Sequence, residues 1–579
     1  MGGIERKRIV IAGLFLALVS FLFFQLCYAY HLFFREQMQL FLFSSDYLYS
    51  YFNKPAWLAC LLGDFLTQFF YFRAGGPLVI ACVLALEYFT CVQVIKRISQ
   101  SPASWLWAVI PVTINWSLYL KLSYGLSSSI ALILALLLFS LYLKISKWKV
   151  FSLIAGILIA IGGYWLAGSS IFMFPILVLL FDFQANQKFY VKWKILFLVA
   201  WLAPYFFLNT YLLPIKELYI FPDTTIQTIA LPLGLIISIV IASVFRKLKT
   251  ASSLHDIIAV SIIFTLVVLV GLFRNASFNF EKILALDSET YFGNPEKVIE
   301  LANKYQLQSK YVSYFNNIAL ARQGLLPEKI LDYYQPGSMG LILPVAPTEN
   351  RESIVFSNEV FFLIGDMNLA QHSAMLGNTF SPFQRSSRMI KRLAEINLVI
   401  GDSVAANKYL RLLDKTLFHR KWAQAHEKMN SSVSSNAWLN YKRSLLPEND
   451  TIRKPDDYLA SLRYLAEQNS ANKTAVDYLL CASLLNKDLK TFKVNYDKYV
   501  KPTSQLVPKV YAEALLIALA RQGATPEETM SYGIPAQKMN DFIQYTKLFE
   551  KNKGTMEPLE KRFGKTYWYY YHFAKLVTN

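Results

Sequence analysis

Nine stretches in the first half of this chain are apolar over lengths that reach across a bilayer. They lie at about 9–30, 76–95, 104–120, 126–143, 150–166, 168–182, 195–213, 227–245 and 256–273. Backbone N–H and C=O groups find no water in hydrocarbon, so a spanning run must be helical, and it needs roughly 17–25 residues. Soluble domains carry about 25% charged residues; here 17% of 579 residues are charged and 54% are hydrophobic. The expected fold class is therefore all-α, opening with a polytopic membrane bundle of about nine spans. The net charge of +19 does not point to nucleic acid. Much of the basic charge sits in short clusters between apolar runs, the pattern of cytoplasmic loops rather than of a basic groove.

Those clusters set the orientation. Arg6-Lys7-Arg8, Lys96-Arg97, Lys144–Lys149, Lys188–Lys194 and Arg246–Lys249 fall on one set of loops. The alternate set carries only Arg35, Lys54, Arg73, Lys121 and Lys216. The N-terminus is thus expected in the cytoplasm, with the first run as an uncleaved signal anchor. Nine crossings place everything beyond about Arg274 outside the cytoplasm, as in a multi-pass protein of a bacterial inner membrane. The Gly162–Ser170 stretch, GGYWLAGSS, is expected to turn the chain between two spans or to form a re-entrant hairpin.

The first external loop, 31–75, is long for a bundle connection. Tyr51–Phe72 is apolar and aromatic, and reads as a helix on the outer membrane surface or as a packing helix. Three acids stand in this loop: Glu36, Asp46 and Asp64. A carboxylate shielded from water beside an apolar surface is raised toward working pH and makes a general base, or it holds a divalent metal against a lipid-linked phosphate. The competing accounts are structural. Ser45 or Asp46 would cap a surface helix, Glu36 would pair with Arg35 or face solvent, and Asp64 would face the polar side of its helix.

Beyond Arg274 the composition turns soluble, and one phrase is written twice: IALARQGLLPE at 318–328 and IALARQGATPE at 517–527. Each reads as a helix ended by Gly324 or Gly523, followed by Pro-Glu opening the next helix. Gly-Asp pairs in FLIGDMNLAQHSAMLG and NLVIGDSVAANKYLRLL give turns of the same kind. With Ala370, Ala405 and Ala406 where helices would pack closely, the segment 275–579 resembles a degenerate tetratricopeptide (TPR) repeat. An extracytoplasmic TPR-like α-solenoid is expected, and solenoids present surfaces to other molecules.

Two features of this half invite a binding role. SPFQRSSRMIKRL sets Arg385, Arg388, Lys391 and Arg392 on one basic helix, which would bind lipid phosphate or an anionic glycan, or be a solvated face. KTYWYYYHFAKL, 565–576, reads as the apolar core of a closing helix or as a sugar-stacking block. His419 and His426 share a helix face without acids beside them, so a solvated face is expected there rather than a metal. The chain contains no nucleotide-binding glycine loop, HExxH, GxSxG or CxxC pattern. Few ionisable residues mark the membrane runs, which disfavours a transporter.

The layout resembles the GT-C glycosyltransferase superfamily: a first span, a long acidic external loop with a surface helix, further spans, then an external soluble domain. That resemblance implies transfer of a sugar from a polyprenyl-phosphate-linked donor, with the solenoid recruiting a protein or glycan acceptor. It assigns the catalytic acid to Asp46, with Glu36 second, as base or as ligand to a divalent metal. The paired acids common in that loop and the WWDYG-like motif are absent here. The alternative is a non-catalytic TPR scaffold for an envelope complex. The chain also resembles an uncharacterised bacterial family of multi-span proteins with a TPR-like tail.

Overall fold

The computed structural model describes residues 3–145, 149–184, 190–223, 229–246, 265–266, 268–346, 348–431, 436–449, 451–502, 506–551 and 554–575. Every regular element among them is helical. The chain divides into two compact units. The first comprises Met1–Glu281 together with Lys415–His419; the second comprises Lys282–Asp414 and Arg420–Asn579.

In the first unit four helical stretches are long and apolar enough to cross a bilayer: Glu5–Leu26, Gly75–Ser99, Leu126–Ile145 and Phe151–Gln184. The other expected crossings are shorter or broken. Positions 104–120 hold two pieces, Ser104–Trp107 and Val109–Leu118. In 195–213 the helix Tyr190–Leu202 stops just ahead of Pro204, whose ring disfavours helix in the residue before it. Ala230–Val244 has 15 residues, roughly 22 Å of helix against a hydrocarbon core of about 30 Å. The run at 256–273 lies largely outside the described residues. The two runs flanking GGYWLAGSS form one helical stretch interrupted at Gly168, where φ is +60°.

The loop helix Trp57–Thr67 buries Ala59, Cys60, Gly63 and Thr67 and leaves Leu62 exposed. It packs on Leu126–Ile145 nearly backbone to backbone. A Cβ on Gly63 would lie 2.6 Å from the Ser127 nitrogen, so no larger residue fits without moving one helix.

The second unit is a succession of helices, each packed on the next, as in Arg351–Ile364, Met367–Thr379, Ser387–Ile400 and Ser403–Asp414. The duplicated phrase is the turn it promised. Gly324 and Gly523 have φ of +69° and +68°, and the amide of the following residue reaches back to Leu320 or Leu519. One of the two differences between the copies has a structural consequence. Thr525 closes a capping box with Glu528, whereas the equivalent Leu326 has no cap to offer and is buried instead. Gly365 and Gly401 turn the chain in the same left-handed way, and Asp366 then caps the Leu369 amide. The closing aromatic block is core: Tyr567 and Trp568 are buried, and the Trp568 indole donates to the Glu513 carbonyl.

Candidate functional site

The three loop acids meet different fates. Asp46 lies in the short helix Ser45–Tyr49 and is exposed; the N-cap is Ser44, and no side chain supplies the cap. The local capping expected of Ser45 or Asp46 therefore does not form. Glu36, on the helix Tyr30–Gln37, is buried, and its Oε1 lies 3.2 Å from His419 Nε2. His419 is only 6% exposed and precedes the helix Arg420–Ser431. The expected shared face with His426 is absent. His426 stacks on Trp422 at 3.9 Å, and burial moves its imidazole below the usual range. The chain bends at 416–419 and the helix begins only at Arg420, so the two histidines do not share one helix.

Asp64 turns inward rather than to the polar side of its helix. Its Oδ2 accepts from the Tyr51 hydroxyl at 2.7 Å, and Tyr51 meets the Tyr47 hydroxyl at 2.9 Å. Lys54 Nζ lies 4.5 Å from the Tyr51 ring centre. Burial raises the Asp64 carboxyl to about 6; the Tyr51 hydrogen bond and the Lys54 and Arg35 charges oppose that rise without cancelling it. Arg35 Nη1 is enclosed and has no hydrogen-bond partner among the described residues. Of the three loop acids, Glu36 and Asp64 are withdrawn from solvent and Asp46 is exposed. Among the described residues no group of three or more His, Cys, Asp or Glu could hold a metal ion.

The second unit holds a cavity of about 400 Å³. Three of the four residues singled out for binding line it: Arg388, Lys391 and Arg392. Arg385 does not. It is exposed and stands ahead of the helix, which begins at Ser387 behind the Ser386 cap. Arg388 is no solvated residue. At 2% exposure it grips Asp287 through two 2.8 Å bonds and Glu359 through one of 3.0 Å. Arg392 donates to both Glu359 oxygens at 2.9 Å, and Arg322 lies 3.7 Å from Glu359. Burial would raise the Glu359 carboxyl, but Arg392, Arg388 and Arg322 together hold it at about 2.

That leaves two cations in the cavity without a carboxylate within ion-pair distance among the described residues. Lys391 Nζ hangs between the Tyr291 and Trp422 rings at 5.0 and 4.9 Å. Lys442, from Ala437–Ser444, is buried, and its Nζ donates to the Phe362 carbonyl at 3.0 Å. Burial, with Arg392 and Arg322 nearby, lowers its ammonium to about 7. The lining contains five basic side chains, Arg322, Arg388, Lys391, Arg392 and Lys442, against Glu359 and Glu395. Tyr291, Phe362, Trp438 and Tyr441 add aromatic surface. Lys442 and Trp438 were not anticipated; each is a single residue in an unremarkable polar helix, and only the fold brings them to the Arg388 helix. Such a cavity suits an anion with an apolar or planar part.

No curated protein and no solved structure matches the chain. A family model matches residues 5–574, nearly its whole length, and the chain belongs to that family, described as a family of unknown function (DUF6057).

Proposed function

We propose that this is a multi-pass membrane protein of about nine crossings whose second unit is an extracytoplasmic TPR-like solenoid that captures an acidic segment of an envelope partner. The observation that carries the proposal is the basic, aromatic cavity of the second unit, with Lys391 poised between two rings and no carboxylate within ion-pair distance of it among the described residues. A ligand carboxylate there would meet a cation already ordered by its neighbours, so little further entropy is lost on binding. Full-length protein in detergent should bind a labelled oligoglutamate peptide more tightly than its oligoglutamine counterpart, and salt should weaken that binding. Lys391→Glu should reduce the affinity at least about tenfold, equivalent to roughly 1.4 kcal/mol. Equal binding of the two peptides, or no change with Lys391→Glu, would rule the acidic segment out.

A second reading is a glycosyltransferase of GT-C type using a polyprenyl-phosphate-linked donor. The shielded Asp64–Tyr51 pair favours it. Asp64 rather than Asp46 would then be the general base. An acid raised to about 6 is unprotonated above that value, so transfer should rise with pH through about 6. Deletion of the gene should deplete an envelope glycan and build up its lipid-linked precursor. Asp46→Asn should restore the glycan and Asp64→Asn should not. Restoration by Asp64→Asn would remove that carboxylate from the chemistry.

A further inference from the structure

The helix Gly75–Ser99 carries one acid within its apolar run, Glu87, and it is 0% exposed. Twelve residues from the helix start, at about 1.5 Å per residue, put it near the middle of a span. Glu87 Oε2 accepts from the Asn115 amide, while Oε1 is buried and has no hydrogen-bond partner among the described residues. Asn115 Nδ2 also donates to Ser129 Oγ at 2.8 Å, and its Oδ1 accepts from the Tyr124 hydroxyl at 2.8 Å. The Tyr119 hydroxyl donates to Ser129 Oγ at 2.6 Å. Tyr124 in turn lines a cavity of about 270 Å³ that also includes Ser128, Ser169 and Asp223.

No described Lys, Arg or His forms an ion pair with Glu87. The titratable groups that feel its charge are Cys91 on its own helix and the Tyr119 and Tyr124 hydroxyls. The helices packed around it bring no opposing charge. Gly3–Leu26 is charged only at Glu5–Arg8, and Glu5 pairs with Lys96. Met173–Gln184 is charged only at Asp182, which pairs with Lys192. Leu126–Ile145 is charged only at Lys144, while Val109–Leu118 and Ala230–Val244 carry no charge.

An acid placed in an apolar interior without a counter-charge is costly as an anion and is stable when it holds a proton. Here it is linked through Asn115 to the Tyr124 hydroxyl, on the wall of a largely apolar cavity that also carries Ser128, Ser169 and Asp223, rather than sealed in hydrocarbon. We propose that Glu87 is a reversible proton-binding site of the membrane unit, loaded and unloaded from the Tyr124 cavity past Ser129 and Asn115. The step is a bare protonation: the carboxylate oxygen takes a proton from hydronium, leaving water, and later returns that proton to water. The membrane half is then a device that changes charge in mid-bilayer. This conclusion is independent of the basic cavity in the second unit.

Infrared difference spectra of the full-length protein, in H2O and D2O, test the proposal. The wild type should show a protonated-carboxyl C=O band that shifts in D2O, is lost reversibly as pH is raised, and is missing in Glu87→Gln. A band unchanged in Glu87→Gln would overturn the assignment. A Glu87 band insensitive to both pH and D2O would overturn the exchange and leave a permanently sealed acid. Should Glu87→Gln not fold, Asn115→Ala answers the same question. Loss of its hydrogen bond should move the band, and an unmoved band would show that the acid observed is not Glu87.

Discussion

Replacing Arg388 with alanine is expected to destabilise the second unit by roughly 3–5 kcal/mol, the usual cost of removing one partner from a buried ion pair. The guanidinium is enclosed, holds Asp287 bidentately and reaches Glu359. Without it Asp287 is a buried carboxylate with no close cation among the described residues. Its carboxyl is raised by burial even with Arg388 present. Glu359 keeps Arg392 and Arg322 and suffers less. The sign of the pH dependence follows. In the variant the stability deficit should shrink as pH falls, because Asp287 then takes a proton instead of standing as an anion. In the wild type the Glu359 contribution behaves oppositely: it is full above the ordinary glutamate value of 4.5 and is lost as pH falls toward about 2. Hydrogen exchange of the full-length protein, read on peptides from 351–414, reports the local free energy. Asp287→Asn combined with Arg388→Met should recover most of the loss. A double variant as weak as Arg388→Ala alone would mean that lost packing, not an orphaned charge, is the cause.

Gly365→Ala is the second large effect, at roughly 3 kcal/mol or more. Two costs add. The residue holds φ +84°, where an L side chain costs about 1–2 kcal/mol. A Cβ would also stand 2.5 Å from the Leu445 carbonyl oxygen and 2.9 Å from its Cβ, an overpacking of roughly 1–3 kcal/mol. Gly324→Ala isolates the first cost, because its φ is +69° and a Cβ there meets nothing within 4 Å. It should lose only about 1–2 kcal/mol. Exchange protection of Arg351–Ile364 and Met367–Thr379 should therefore fall much further for Gly365→Ala than that of Lys310–Arg322 does for Gly324→Ala. Equal losses would mean that the Leu445 backbone yields easily.

The contrast between those two glycines also shows how far a sequence can be read. Both were legible as helix stops, because left-handed capping is local chemistry. That one opens to space and the other abuts Leu445, 80 residues on, was not legible. The basic run was legible as a basic helix carrying Arg385, Arg388, Lys391 and Arg392, of which Arg385 falls ahead of the helix. Their division into a sealed ion pair and an available lysine depends on Asp287, 101 residues upstream. Asp46 and Asp64 look alike in sequence, each an acid among aromatics. What separates them is the Tyr51 hydroxyl, which donates to Asp64 at 2.7 Å, while Asp46 is exposed. Glu87 was not singled out in the sequence, and its significance rests on Asn115 and Ser129 from two other helices. Charge patterning and hydropathy supplied the membrane character of the first half. They overstated helix length where the chain leaves the helix just ahead of Pro204, and the turn expected at Gly162–Ser170 is only an interruption at Gly168 within one helical stretch.

The five residues Lys415–His419, which complete the first unit, have a bearing on how the protein is made and taken apart. A ribosome that has delivered every apolar helix has still not delivered the imidazole that meets Glu36, 383 residues further along the chain. The first unit therefore finishes folding only after the Lys282–Asp414 part of the second has emerged. For the same reason no single cut in the backbone yields two fragments that each keep all their own residues. A truncation ending near residue 281 lacks Phe418 and His419, and a fragment starting at 282 carries them as a loop out of place. Coexpressed halves would have to be joined as a three-piece puzzle, not a two-piece one.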